Sequence, residues 1–196
     1  MVLLQNNVKK ILYNYNIYLK NLFPDIISYI IYGELVIKTK AQNITKLLKF
    51  LKIHTNSRYQ ILSDLCAVDF PQKKRRFEIV YNLLSIDFNS RITVIITATE
   101  NNPVESCSEI YKVAGWFERE ILDLFGIFFL NHKDLRRILT DYGFKGHPLR
   151  KDFPLTGFTE VRYFDTEKRV ILEEVSLAQD YRTFYFDNTW NTTSID

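Results

Sequence analysis

The sequence predicts an α+β fold: a two-layer domain with helices on a mixed β-sheet, followed by a long irregular C-terminal arm. Three observations carry that prediction. Apolar residues recur at helical spacing in three separate stretches. Shorter runs between them alternate with a period of two. Beyond residue 130 both periodicities fade, while leucine and aromatic residues persist. The expected division is an α+β domain over residues 1–130 and an extended C-terminal arm over residues 131–196.

Val8, Ile11, Leu12, Tyr15, Leu19 and Leu22 form one stripe, so residues 3–22 predict an amphipathic helix that Pro24 ends. Ile26–Tyr32 and Glu34–Thr39 pivot on Gly33 and predict a hairpin or bulged pair. A second helix over 41–53 offers Ile44, Leu47, Leu48 and Leu51 to one face and lysines to the other. Arg58–Ala67 predicts a strand, and "VDFPQKKRR" a loop around Pro71. "FEIVYNLLSID" and "RITVIITAT" predict two strands joined at Asn89 and Ser90. The strongest helical signal follows Pro103. Ser106 with Glu109 fits a capping box, the stripe runs from Ile110 through Phe117 and Ile121 to Phe125, and Gly126 suits the C-terminal cap. Helices gathered on one side of a mixed sheet give two layers.

Hydrophobic residues at 46% and charged residues at 25% are ordinary for a folded domain, which argues against wholesale disorder. A net charge of +3 is too mild to imply nucleic acid by itself. Eight basic against five acidic residues between Leu135 and Arg169 make the arm locally cationic. Cys66 and Cys107 stand far apart, so neither a metal knuckle nor a disulfide framework is indicated. The most apolar run, "ILDLFGIFFL", contains Asp123 and is too short to span a bilayer. The first 22 residues carry lysines but no arginine and no small-residue cleavage site, so no secretory or usual transit signal is evident.

Three missing patterns exclude mechanisms. There is no GxGxxG after a strand and no GxxxxGK[ST], so no backbone cradle for a dinucleotide or triphosphate is recognisable. Two isolated cysteines fall short of the four thiolates of a common iron–sulfur site, and the three histidines lack HExxH spacing. The charged triplet Glu118, Arg119, Glu120 looks most like an active site. At about 100° per residue its two glutamates fall on opposite borders of the apolar stripe, while Arg119 points away with Asp123 four residues on. Two readings stay open: carboxylates lying in water beside a core helix, or half-buried carboxylates accepting charge-assisted bonds from Arg136, Arg137 or a partner. Catalysis by the triplet is the least supported. His132 and the paired arginines after the helix read alone as a structural histidine and a solvated face. "KKRRF" reads as a soluble basic turn, although with the cationic tail it motivates an alternative, a nucleic-acid or ribosome-associated module.

The arm poses the sharper question. "GHPLRKDFPL" sets two prolines, a glycine, Arg150, Lys151 and Asp152 among Leu149, Phe153 and Leu155. Ordering each residue costs about 1–2 kcal/mol, so an irregular segment needs a surface to lie on. Prolines preset extended backbone, Phe153 and Leu155 can anchor in pockets, and Arg150 and Lys151 can pair across an interface.

"AGWFEREILDLFGIFFLNHKDLRRILTDYGFKGHPLRKDFPL", with "RRFEIVYNLLS" upstream and "EVRYFD" downstream, resembles the thirty-kilodalton subunit family of respiratory NADH:ubiquinone oxidoreductase, complex I, in its mitochondrially encoded form. The resemblance runs from about Asp64 to Phe186 and is weak outside those bounds. It implies a structural subunit, without an active site of its own, in the peripheral arm on the matrix side of the mitochondrial inner membrane. It also implies that the C-terminal arm is draped over the forty-nine-kilodalton subunit near the terminal iron–sulfur cluster and quinone site. NADH oxidation, ubiquinone reduction and proton translocation, with FMN and iron–sulfur clusters, belong to the complex. This chain is expected to bind no cofactor or nucleic acid and to have no membrane span. The implied motif and interface residues are Glu118, Arg119, Glu120, Asp123, His132, Arg136, Arg137, His147, Arg150, Lys151, Asp152 and Phe153.

Overall fold

The structure, a computed structural model, describes residues 2–182 and 184, with side chains of the first helix described from Ile11 onward. It is α+β. Helix α1 spans Val2–Leu22, and strands β1 (Ile27–Ile31) and β2 (Glu34–Thr39) follow. A 3-10 turn, Ala41–Asn43, leads into α2 (Ile44–Ile53), and then come β3 (Ile61–Asp69), β4 (Phe77–Ser85) and β5 (Ser90–Ala98). These five strands form one sheet in the order β1-β2-β5-β4-β3, with β2 and β5 parallel and every other neighbour antiparallel. Tyr32 (φ 49°) and Gly33 (φ 84°) are both left-handed, which is the two-residue turn that matches the twist of a hairpin.

Strict alternation makes the core. Phe77, Ile79, Tyr81 and Leu83 of β4 and Ile92, Val94 and Ile96 of β5 are all at most 1% exposed. Residues of all three helices join the same buried cluster. Helix α2 has no side-chain cap, yet Ile44, Leu47, Leu48 and Leu51 are 0–1% exposed. At about 1.5–3 kcal/mol for each such side chain, packing rather than end chemistry holds that helix. In α1 the stripe is narrower than the spacing suggests: Leu19 is fully buried beside a buried Asn16, whereas Ile11 and Leu22 stay exposed. Asn16 accepts a hydrogen bond from the Ser28 hydroxyl, which explains a polar residue at an inward position. Val8 lies outside the described side chains.

Helix α3 starts later than the capping box implies, at Ala114, and ends at Phe125. Residues 107–113 form turns, in which the Cys107 carbonyl accepts from the Ile110 and Tyr111 amides. Strands β6 (Val104–Glu105) and β7 (Phe129–Leu130) form a short parallel ladder on either side of α3.

The chain divides into two compact units at Phe153 and Pro154, well past the boundary expected at residue 130. The first unit takes in residues 131–153, which the sequence assigned to the arm. Polar side chains bind that segment to α3 and the sheet. The second unit is not wholly irregular. It holds a hairpin, β8 (Thr159–Phe164) with β9 (Arg169–Glu174), turned through Lys168 at φ 50°. No helix among the described residues is long and apolar enough to cross a membrane.

Candidate functional site

Helix α3 buries three charged residues, Glu118 (0% exposed), Arg119 (7%) and Asp123 (0%). A buried charge is stable only when paired and hydrogen-bonded, so their partners define the site. Glu118 accepts from the Ser106 hydroxyl at 2.6 Å and the Cys107 amide at 2.7 Å. This is why the capping box fails: Ser106 serves a carboxylate inside the domain instead of starting a helix. Burial, reinforced by Glu118, pushes the Cys107 thiol far up. His132 Nε2 lies 3.7 Å from Glu118 and 3.1 Å from the Gly115 carbonyl, while the Asp134 amide donates to Nδ1 at 3.1 Å. With Nδ1 accepting, the ring proton sits on Nε2 and points at Gly115.

Arg119 does not point into water. Its Nε donates to the Arg136 carbonyl at 3.1 Å, and its guanidinium lies 5.1 Å from the Trp116 ring centre. The Arg136 side chain itself is exposed beside Asp134, a contact worth little. Glu120 is half-buried, and no hydrogen bond or ion pair to its side chain is found among the described residues. Neither glutamate takes an arginine. Asp123 does.

Asp123 gathers five donors from the segment that follows. Its Oδ2 accepts from the amides of Ile138, Leu139 and Thr140 at 3.2, 2.7 and 2.8 Å. Its Oδ1 accepts from the Thr140 hydroxyl at 2.6 Å and Arg137 Nη1 at 3.2 Å. Burial alone would raise its pKa, but the Thr140 hydroxyl and the three amides outweigh it and hold the carboxyl below its ordinary range.

The last carbonyls of any helix lack intrahelical donors. In α3 they are answered by "GHPLR". The Asp123 carbonyl meets His147 Nδ1 at 3.0 Å, the Leu124 carbonyl accepts the Leu149 amide at 3.1 Å, and the Phe125 carbonyl accepts Arg150 Nε at 2.6 Å. A cation at this end also suits the helix dipole. Gly126 is required twice over. Its φ is 75°, and a Cβ there would sit 2.5 Å from His147 Nε2 and 2.7 Å from Arg150 Nη2. Gly146 has a similar role, since a Cβ would come within 2.8 Å of the Phe153 ring.

A second anchor lies on the sheet. Arg76, the last residue of the basic turn, grips Asp69 at the end of β3 with Nε and Nη2 at 2.6 and 2.8 Å, and reaches Asp152 at 2.9 Å and Glu100 at 3.0 Å. Arg150 shares Glu100 at 2.9 Å, and both guanidinium groups lie 5.4 Å from the Phe77 ring centre. The Lys151 amide, not its ammonium, donates to Asp69 at 2.8 Å. Arg76 holds the Asp69 carboxyl below its ordinary range.

Arg150 and Asp152, expected to meet a foreign surface, thus pair within the chain, and Phe153 packs beside Phe144 with ring centres 6.0 Å apart. Asp69, Arg76, Glu100, Ser106 and Thr140 were missed as site residues. One signal was available: Asp69 falls on an inward position of β3, where an aspartate must have a partner. The basic turn is largely committed as well, since Lys73 pairs with Glu78 and Arg75 donates to Thr97.

In the second unit the hairpin register places Val161 opposite Leu172 and Tyr163 opposite Val170 on one face. These four are 61, 70, 56 and 63% exposed. The other face carries the forked Arg162–Glu173 pair at 2.6 and 2.9 Å. An isolated two-stranded hairpin is marginal in water, and this one displays its apolar face.

Fold and site together define an α+β domain whose buried charges clasp its own polypeptide and whose chain continues into an amphipathic hairpin. The chain belongs to the family described as the 30 kDa subunit of respiratory-chain NADH dehydrogenase, which it matches over residues 37–159. It is 55% identical over 183 residues to NADH-ubiquinone oxidoreductase subunit 9 of Reclinomonas americana, covering 92% of this chain and 90% of that one. It is 54% identical over 156 residues to NADH dehydrogenase [ubiquinone] iron-sulfur protein 3 of Arabidopsis thaliana, covering 80% and 82%. The family match begins at Ile37, so it includes the end of β2 and all of α2, which the sequence resemblance left out. A chain in the solved structure of the membrane-bound sulfane sulfur reductase, an archaeal respiratory membrane complex, shares the fold at a TM-score of 0.63 with 22% identity, covering 72% of this chain and 85% of that one.

Proposed function

We propose that this chain is a non-catalytic, architectural subunit of mitochondrial NADH–ubiquinone oxidoreductase, placed in the matrix-side peripheral arm. There its C-terminal arm packs on the forty-nine-kilodalton subunit near the terminal cluster and the quinone site. The observation that carries this reading is the hairpin face of Val161, Tyr163, Val170 and Leu172, which needs a covering surface. Family membership supports partnership with other subunits of that complex.

The chemistry of the buried carboxylates supports an architectural role. Glu118 and Asp123 already accept from the domain's own hydroxyls and amides, which leaves them poorly placed to shuttle protons to a substrate. The iron–sulfur name of the plant relatives does not fit a cluster on this chain. The sequence has two cysteines, and burial beside Glu118 drives the Cys107 thiol away from the thiolate a cluster needs. We read flavin, clusters, NADH and ubiquinone as belonging to other subunits.

Deleting residues 154–196 tests the reading, because it spares the clasp. The truncated chain is expected to keep its thermal midpoint but to be lost from the assembled complex on native gels. Normal incorporation would refute the docking role.

A further inference from the structure

The outward face of α2 is both cationic and apolar. In the first sixty residues nine lysines and arginines stand against two acidic residues, although the whole chain is only +3. Most cations of the clasp are paired inside it, as Arg76, Arg137 and Arg150 show. On α2, Lys52 meets the Ile110 carbonyl and the Tyr111 ring. Lys46 and Lys49, both exposed, have no side-chain hydrogen bond or ion pair among the described residues.

These two lysines border a shallow, open apolar depression lined also by Phe50, Ile53 and His54, with Ile53 68% exposed. Its floor is fixed by packing. Phe50 meets Phe23 edge-on at 5.3 Å and stacks on His54 at 4.6 Å, and His54 Nε2 lies 3.1 Å from the Tyr18 hydroxyl. A surface held in this way loses little freedom when it is covered.

We propose that this face docks an acidic segment of a neighbouring subunit. Carboxylates of that segment pair with Lys46 and Lys49, and one apolar side chain enters the depression over Phe50 and Ile53. The charge imbalance selects an acidic occupant. The burial pattern selects protein over membrane: the other large apolar residues of α2 are committed to the core, which leaves too little apolar surface for an interfacial helix to insert. Lysines three residues apart lie about 4.5 Å apart along the helix axis, within reach of carboxylates on one neighbouring element. This contact rests on family membership, not on the hairpin, and is separate from it.

Zero-length carbodiimide coupling in the native complex tests it, read beside lysine acetylation of the complex and of the purified full chain. Lys46 or Lys49 is expected to join an Asp or Glu of another subunit, and acetylation of both is expected to fall at least tenfold on assembly. Acetylation at the purified-chain rate would overturn the proposal. So would coupling to lipid carboxylates alone, or protection with no coupled carboxylate, since the cover would then not be an acidic protein segment. A complex that forms through the hairpin while Lys46 and Lys49 stay open would defeat this contact and leave the hairpin reading intact.

Discussion

Residues 134–153 and residues 159–174 are neighbours in sequence that both mix cations with aliphatic and aromatic residues, yet they solve the burial problem in opposite ways. The first has almost no regular structure and is fastened by side-chain acceptors and donors: Asp123, His147, Arg150 and the Arg76 network. The second satisfies its backbone in a regular hairpin and leaves its apolar face uncovered. Irregular backbone therefore does not by itself mark a segment that needs a partner. What marks it is apolar surface left without cover once the polar groups are satisfied.

The comparison breaks first at Asp123. Asp123→Ala strands three amides and a guanidinium, and is expected to cost about 3–5 kcal/mol in urea unfolding of the full chain. An unchanged midpoint would mean that the clasp is held by something other than its acceptor.

Gly126→Ala comes next. The left-handed backbone alone costs about 1–2 kcal/mol, and the clash with His147 and Arg150 adds to it. The expected signature is faster tryptic cutting after Arg150 and Lys151 while cutting in the hairpin keeps its rate. Equal acceleration in both segments would erase the distinction drawn between them.

The smallest effect is a pH slope. Burial, with Arg150 and Arg137 nearby, outweighs the bond to the Asp123 carbonyl and holds His147 below its ordinary 6.5. Because the unfolded chain protonates first, His147's contribution is complete above about pH 6.5 and is lost as pH falls from there through the lower folded value. Asp69 and Asp123 are lowered and do not titrate in that window. His147→Gln should flatten the dependence of the denaturation midpoint between about pH 7.5 and 5.5. A slope that survives the substitution would assign it to another group.

The sheet and α2 were legible because period-two and period-3.6 patterns report which face of a local element is buried. Gly33 and Gly126 fell where the turn and the cap require them. The start of α3 was not legible, because Ser106 fits a local cap equally well until the Glu118 carboxylate arrives from a helix turn beyond. Arg119 was assigned to solvent because a helical wheel shows direction but not what stands there, in this case the Arg136 carbonyl.

The sequence by itself determined the secondary-structure order, the α+β class and the family, since each is written in short-range pattern or in runs of residues. Only the tertiary structure decided where the domain ends. That boundary depends on Lys151 reaching Asp69 and Arg76 reaching Asp152, pairs separated by 82 and 76 positions. A hydrogen bond is formed by closeness in space, and no periodicity within one element records which distant donor will fill it.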